Sequence, residues 1–245
     1  MDGLNRTNKR SHRIFPFAAT SLLAALCVGT DFAKNDAPAL PPAGQILATL
    51  RPGHPRVMAD DAAFGAIKSA VDKGGMPAKL YGEVKRETDK ILSEKASVHE
   101  KPDGKRLLTV SRRVRDRVAA LALVSRLEGD ARYAERAWRE LEAAARFPDW
   151  NPAHFLDTAE MTHAFALGYD WLYDKWSDQQ RRMLQDAILE KGLKEGLKVY
   201  AGKKGWSRNE NNWNQVCNGG LISGALAVAD VEPLEKGESL FAEVV

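Results

Sequence analysis

The sequence predicts an all-α chain built from antiparallel helix pairs, and three observations predict it. Apolar residues recur at steps of three and four over most of the chain from residue 60 onward. Helix-ending and helix-starting residues stand close together between those stretches, so connections are short and neighbours pack antiparallel. Alternating runs of β-branched residues, which would signal strands, do not occur in the sequence. With 44% hydrophobic and 28% charged residues over 245 positions, the composition suits a folded domain with a sizeable core and excludes a disordered or membrane-embedded chain.

The first element is an export signal. Arg6, Lys9, Arg10 and Arg13 precede the uncharged run Ile14–Val28, and small residues follow it, with cleavage expected near Gly29 or Thr30. The run falls short of the about 20 residues that a membrane span needs. Residues 1–30 are therefore read as a signal peptide, and the protein is expected to be exported, periplasmic or secreted, with no membrane span once the signal is removed. Those four basic residues against Asp2 account for the whole formal charge of +3, so the remainder is neutral. No basic face is left for a nucleic acid. Of the two cysteines only Cys217 lies beyond the signal, which excludes an intrachain disulfide in the mature chain.

Residues 31–59 carry Pro38, Pro41, Pro42, Pro52 and Pro55 and are read as a linker and strap. Residues 60–245 form the helical domain. Spacing and punctuation predict helices near 60–73, 78–96, 106–128, 130–146, 153–176, 177–198 and 211–230, with another beginning around 233. Gly129 suits the left-handed end of one helix and Asp130 the cap of the next. Ser177 and Gln180 have capping-box spacing.

Serial antiparallel pairs give either a solenoid or a closed α/α toroid. No repeat near 34–45 residues is visible, and periodicity does little to choose between the two. In a toroid, inner helices surround a cavity and can carry polar and aromatic residues on a covered face. The 153–176 segment fits an inner helix. Phe155, Ala159, Thr162, Ala166, Tyr169, Tyr173 and Trp176 form one stripe, and Leu156, Glu160, His163, Leu167, Asp170 and Asp174 form another beside it.

The segment Trp206–Gly220 holds five Asn within ten residues, two Trp and a Gly pair at a helix start. Asn is poor inside a helix because its amide competes for backbone hydrogen bonds. Capping accounts for Asn211 or Asn212, with Trp213 then in the core. Five amides call for further partners, and a carbohydrate offers hydroxyls and carboxylates together with a ring face for Trp. Asn211, Trp213, Asn214, His163 and Glu160 are the expected substrate-binding residues. His154, at a helix entry, is read as a cap. Glu160, Asp170 and Asp174 are read as helix partners of Arg181 and Arg182, or as the carboxylate pair of a hydrolase. No His/Cys/Asp spacing suggests a metal, and no cofactor is expected within the chain.

Four stretches in order resemble the heparinase II/III family of polysaccharide lyases. They are Phe147–Pro152, Phe155–Met161, Tyr169–Tyr173 and Asn211–Gly220, within a similarity covering roughly residues 55–245. The resemblance implies an N-terminal α/α toroid, here incomplete, followed by a β-sheet domain. It also implies metal-independent or metal-assisted β-elimination on an acidic, uronate-containing polysaccharide. The family's amide that neutralises the substrate carboxylate maps onto Asn212, the expected catalytic residue. Several relatives carry a His after that Asn. Here Trp213 stands instead, so the resemblance brings no base to this position. It places the acid and base, a Tyr and a His, beyond residue 245, together with the β-sheet domain. These residues alone are accordingly expected to be inactive. The alternatives are a glycoside hydrolase on the same toroid and a non-catalytic carbohydrate-binding or scaffold protein.

Overall fold

The computed structural model describes residues 45, 47–202 and 205–230. The signal reading, most of the strap and the helix expected near 233 lie outside them. Among the described residues the chain is all-α, without a strand. In order it forms α1 (Asp61–Asp72), α2 (Gly75–Ile91), α3 (Leu108–Glu128), α4 (Ala131–Ala145), α5 (Phe155–Trp171), α6 (Asp178–Ala187), α7 (Lys194–Ala201) and α8 (Asn212–Ala227). Between α6 and α7, the turn Ile188–Leu193 is wound as a π-helix. Among the described residues no helix is long and apolar enough to cross a membrane.

Local chemistry sets most boundaries. Gly129 ends α3 at φ 71°, and the Asp130 carboxylate then accepts from Arg132 N to cap α4. The capping box of Ser177 and Gln180 opens α6. The helix expected at 78–96 begins earlier, at Gly75, because Pro77 falls in a first turn where no N–H is needed. It also ends earlier, at Ile91. The helix expected over 153–176 stops at Trp171. A 3-10 turn, Tyr173–Lys175, then returns Trp176 so that its Nε1 donates to Gly168 O (2.9 Å).

Helices α3, α5 and α8 form one layer and run in the same direction. At their amino ends the Leu107 amide donates to Asp157, and the His154 ring packs edge-on against Trp213. Further along, Gly220 and Gly224 of α8 press against Ala159 and Thr162 of α5. At the far end Arg126 of α3 donates to Trp171 O (2.8 Å). Helices α2, α4, α6 and α7 run the opposite way. Trp138 of α4 meets Trp176 while Leu141 meets Gly168. Gln185 of α6 reaches the Tyr169 hydroxyl, and Gly192 lies on Thr162.

Helix α5 is enclosed among these helices, and every residue in it except His163 is buried. Its buried polar groups are satisfied locally: Thr158 Oγ1 donates to Trp150 O and Thr162 Oγ1 to Thr158 O, both at 2.8 Å.

Candidate functional site

The amino ends of α3, α5 and α8 bring most of the sequence-predicted residues to one end of the molecule. The asparagines there divide into two kinds. Asn211 is the N-cap of α8, and its Oδ1 accepts from Trp213 N (3.0 Å). Asn214 Nδ2 donates to Ser207 O (2.8 Å), Asn218 Nδ2 donates to Asn214 Oδ1 (3.2 Å), and the Tyr200 hydroxyl donates to Asn218 Oδ1 (2.7 Å). This ladder sews α8 to the 3-10 turn Trp206–Arg208 and to α7. Asn211 and Asn214 therefore help to hold the helix start, a role beside the substrate contact expected of them. Each is engaged with the backbone, the competition that makes Asn costly in a helix in the first place. Asn212 differs. It is exposed in the first turn of α8, and its side chain makes no hydrogen bond among the described residues.

Trp213 is half-buried, and its ring lies 4.8 Å from that of His154 at 74°. His154 Nδ1 faces Asp157 Oδ1 at 2.6 Å. The Asp157 carboxylate is fully buried and accepts on Oδ2 from Leu107 N (2.6 Å) and Asn151 Nδ2 (2.7 Å). His154 makes no side-chain cap to α5, so the cap reading is corrected. Its imidazole goes to Asp157 instead.

Glu160 is not a free acid. It is 5% exposed and accepts from Arg112 Nε (3.1 Å) and from Arg115. Arg115 also donates to Asp116 (2.7 Å), so the two guanidiniums offset two carboxylates. His163, half-buried, lies one turn further along α5, with Nε2 3.4 Å from Met58 Sδ. Burial, reinforced by the Arg115 charge, holds its pKa down at about 4, so it is neutral near pH 7. Burial, with the Glu160 charge beside it, pushes the Cys217 thiol up to about 12 and makes it inert.

The acids of α5 do not pair with the next helix as expected. Arg181 donates to Tyr173 O, Trp176 O and Asp178. Asp170 instead accepts from His54 Nδ1 (2.6 Å), Arg56 N (2.9 Å) and Val57 N (2.8 Å), all from the strap. A hydrolase pair is also poorly placed. Ten residues along a helix separate Glu160 from Asp170 by about 15 Å, beyond the roughly 5–9.5 Å that hydrolysis requires.

His54 was missed by sequence reasoning. It stacks on Tyr173 at 3.9 Å, with Nε2 3.2 Å from Asp230, while Arg56 caps the carboxyl end of α8 through Leu226 O and Ala227 O. Burial opposes a charge on His54 and Arg56 adds repulsion, yet the hydrogen bonds to Asp170 and Asp230 outweigh both and raise its pKa. The charged form is thus favoured in the fold. Its stabilisation is complete below the unfolded value near 6.5 and is lost as pH rises through the raised folded value. Chemical denaturation from pH 5.5 to 8.5 should show stability falling toward the alkaline side, with a flatter profile in His54→Gln. Equal slopes in both proteins would contradict the assignment.

A hollow of about 430 Å³ lies beside the strap, lined by Arg51, Arg56, Met58, Asp60 and Leu226 among others. Leu226 is fourteen residues from Asn212, about 21 Å along α8. Arg51 is paired with Asp60 and Arg56 with Asp230, so the hollow presents no uncommitted charge. Among the described residues no group of three or more His, Cys, Asp or Glu is placed to hold a metal ion. Neither the family models nor the curated proteins compared with the chain match it.

Proposed function

We propose that the chain is the helical, sugar-facing part of a polysaccharide lyase that cleaves uronate-containing polymers by β-elimination. In this reading the parallel layer α3, α5 and α8, backed by antiparallel helices, is an arc of an α/α toroid of the heparinase II/III type. The observation that carries it is the meeting of three helix amino ends around Asn212, Trp213 and His154. The dipoles of such ends favour anions, as a uronate carboxylate requires. Trp213 offers a flat apolar face for the ring.

The chemistry follows from that placement. While its carboxylate is charged, the C5 proton of a uronate is only weakly acidic. An amide donating to the carboxylate stabilises the enolate-like charge that develops when the proton leaves, in the manner of an oxyanion hole. Asn212 has its side chain available for that purpose. Exported location and an acidic polysaccharide partner belong to the same proposal.

Binding is tested by titrating the chain with tetrameric alginate, glucuronan or heparosan fragments and following tryptophan emission. A saturable change that Trp213→Phe removes is expected. No change with any uronate, or equal binding of neutral oligosaccharides, defeats the reading. In the intact enzyme Asn212→Ala should slow elimination by about 10²–10³-fold, measured as growth of unsaturated-uronate absorbance. Near-normal rates would remove Asn212 from the chemistry.

A further inference from the structure

We infer that His154 is the base that removes the C5 proton, so that base and carboxylate donor stand together at one helix mouth. This rests on the lyase reading above and goes beyond it, because the family resemblance places the base elsewhere in the protein.

The geometry leaves the neutral imidazole one tautomer and one open face. Asp157 is buried among three donors: Leu107 N, Asn151 Nδ2 and the His154 ring. An ionised carboxylate only accepts, so the proton between Asp157 and His154 belongs to Nδ1. In the neutral ring, Nε2 then carries a lone pair. No group among the described residues hydrogen-bonds Nε2, and the side chain is 23% exposed. A buried carboxylate that fixes the tautomer of a partly exposed histidine is the orienting half of a general-base pair.

The ring is also held in place. Asn151, at φ 60°, turns the chain into Pro152–His154, and its own Oδ1 accepts from Lys101 Nζ (2.7 Å). Trp213 packs across the imidazole, and Asn212 is its chain neighbour in α8. Base and amide donor thus come from adjacent helix starts locked by one aromatic contact.

The step balances within these groups. The C5–H bond breaks and the proton goes to Nε2. The electron pair moves into the carboxylate, where the Asn212 amide donates to the developing charge. Return of the pair forms the C4–C5 double bond and breaks the C4–O4 bond, and the departing oxygen takes its proton from water. Asp157 is a positioning residue that keeps the imidazolium oriented.

Exchange of C5 hydrogen for solvent deuterium isolates the first half of this reaction, because it needs only the base and the amide. The 245-residue chain is incubated in deuterated buffer with a saturated uronate tetramer, and deuterium at C5 is followed by mass spectrometry and NMR. Wild type should exchange. His154→Gln should lose about 10²–10⁴-fold, with binding to the Trp213 face retained. Asp157→Asn should bind but exchange poorly. Independently of any variant, long-range proton–nitrogen spectra of the free protein should show Nδ1 protonated and Nε2 bare. The inference is overturned if His154→Gln exchanges normally, if the Nε2–H tautomer dominates, or if wild type binds the tetramer without exchange. In each of those cases the lyase reading survives. Failure of the wild-type chain to bind any uronate defeats that reading, and the assignment of His154 falls with it.

Discussion

Replacing Asp170 with alanine is expected to lower stability by about 3–5 kcal/mol, the usual cost of removing one partner of a buried charged pair. The carboxylate is wholly buried at the carboxyl end of α5 and holds the strap by accepting from the His54 ring and from the amides of Arg56 and Val57. Alanine would leave these donors facing a dry void, and each unsatisfied buried group costs about 1–3 kcal/mol. The strap would loosen with it, since the Trp171 Nε1 hydrogen bond to the Val57 carbonyl (2.9 Å) and the Arg56 contacts to α8 would be left to hold it. Limited trypsinolysis should therefore cut faster after Arg56 in the variant. Asp174→Ala provides the contrast. That side chain is 61% exposed and sits 3.9 Å from Arg126, so less than about 1 kcal/mol is expected. A small loss in Asp170→Ala, with the strap still resistant, would mean that the strap is held by something other than this carboxylate.

Gly220→Val should be more damaging still, at about 4–5 kcal/mol, which is exceptional for one residue. A Cβ at Gly220 would run into the carbonyl oxygen of Ala159, with the carbonyl carbon and Cα close behind. These are backbone atoms of a helix packed on both sides, so no side chain can swing away. Even Gly220→Ala is expected to lose about 1–3 kcal/mol through overpacking, although alanine is the better helix former by about 1 kcal/mol. Its neighbour reverses the sign. Gly219 is exposed, with nothing within 4 Å of a Cβ, so Gly219→Ala should gain about 0.5–1 kcal/mol. Thermal melts of the two alanine variants moving the same way would show that α5 and α8 are not in contact at this point.

What the sequence revealed and what it hid follow from the range of the interactions. Gly129, Asp130, Ser177 and Gln180 act on residues two to four positions away, and their helix ends were legible for that reason. The end of α5 was not. Tyr173 and Trp176 keep the apolar spacing of a helix while the backbone has already tightened into a 3-10 turn. The strap was hardest of all. Its prolines read as a linker, yet His54 finds its partner 116 residues away, and no local pattern encodes that distance. At the site, the count of asparagines suggested a set of ligands. Their partners, Ser207, Trp213 N and Tyr200, show that most of the amides build the helix start and leave Asn212 available.

The wide turn at Ile188–Leu193 has a consequence for how the long outer helix can vary. Its two halves answer to different neighbours: Gln185 meets Tyr169 before the turn, while Gly196 meets Leu221 and Tyr200 meets Asn218 after it. A π turn takes up one more residue than an α turn, so it acts as a phase adjuster between two otherwise regular rods. Excising a single residue there would let the wide turn relax to an ordinary α turn with both halves still in phase, whereas excising one from α6 would swing everything beyond it by about 100°. Gly196 would leave the one place where a missing side chain lets α7 and α8 close together. A one-residue deletion is therefore tolerable at the wide turn and not in the regular stretch before it.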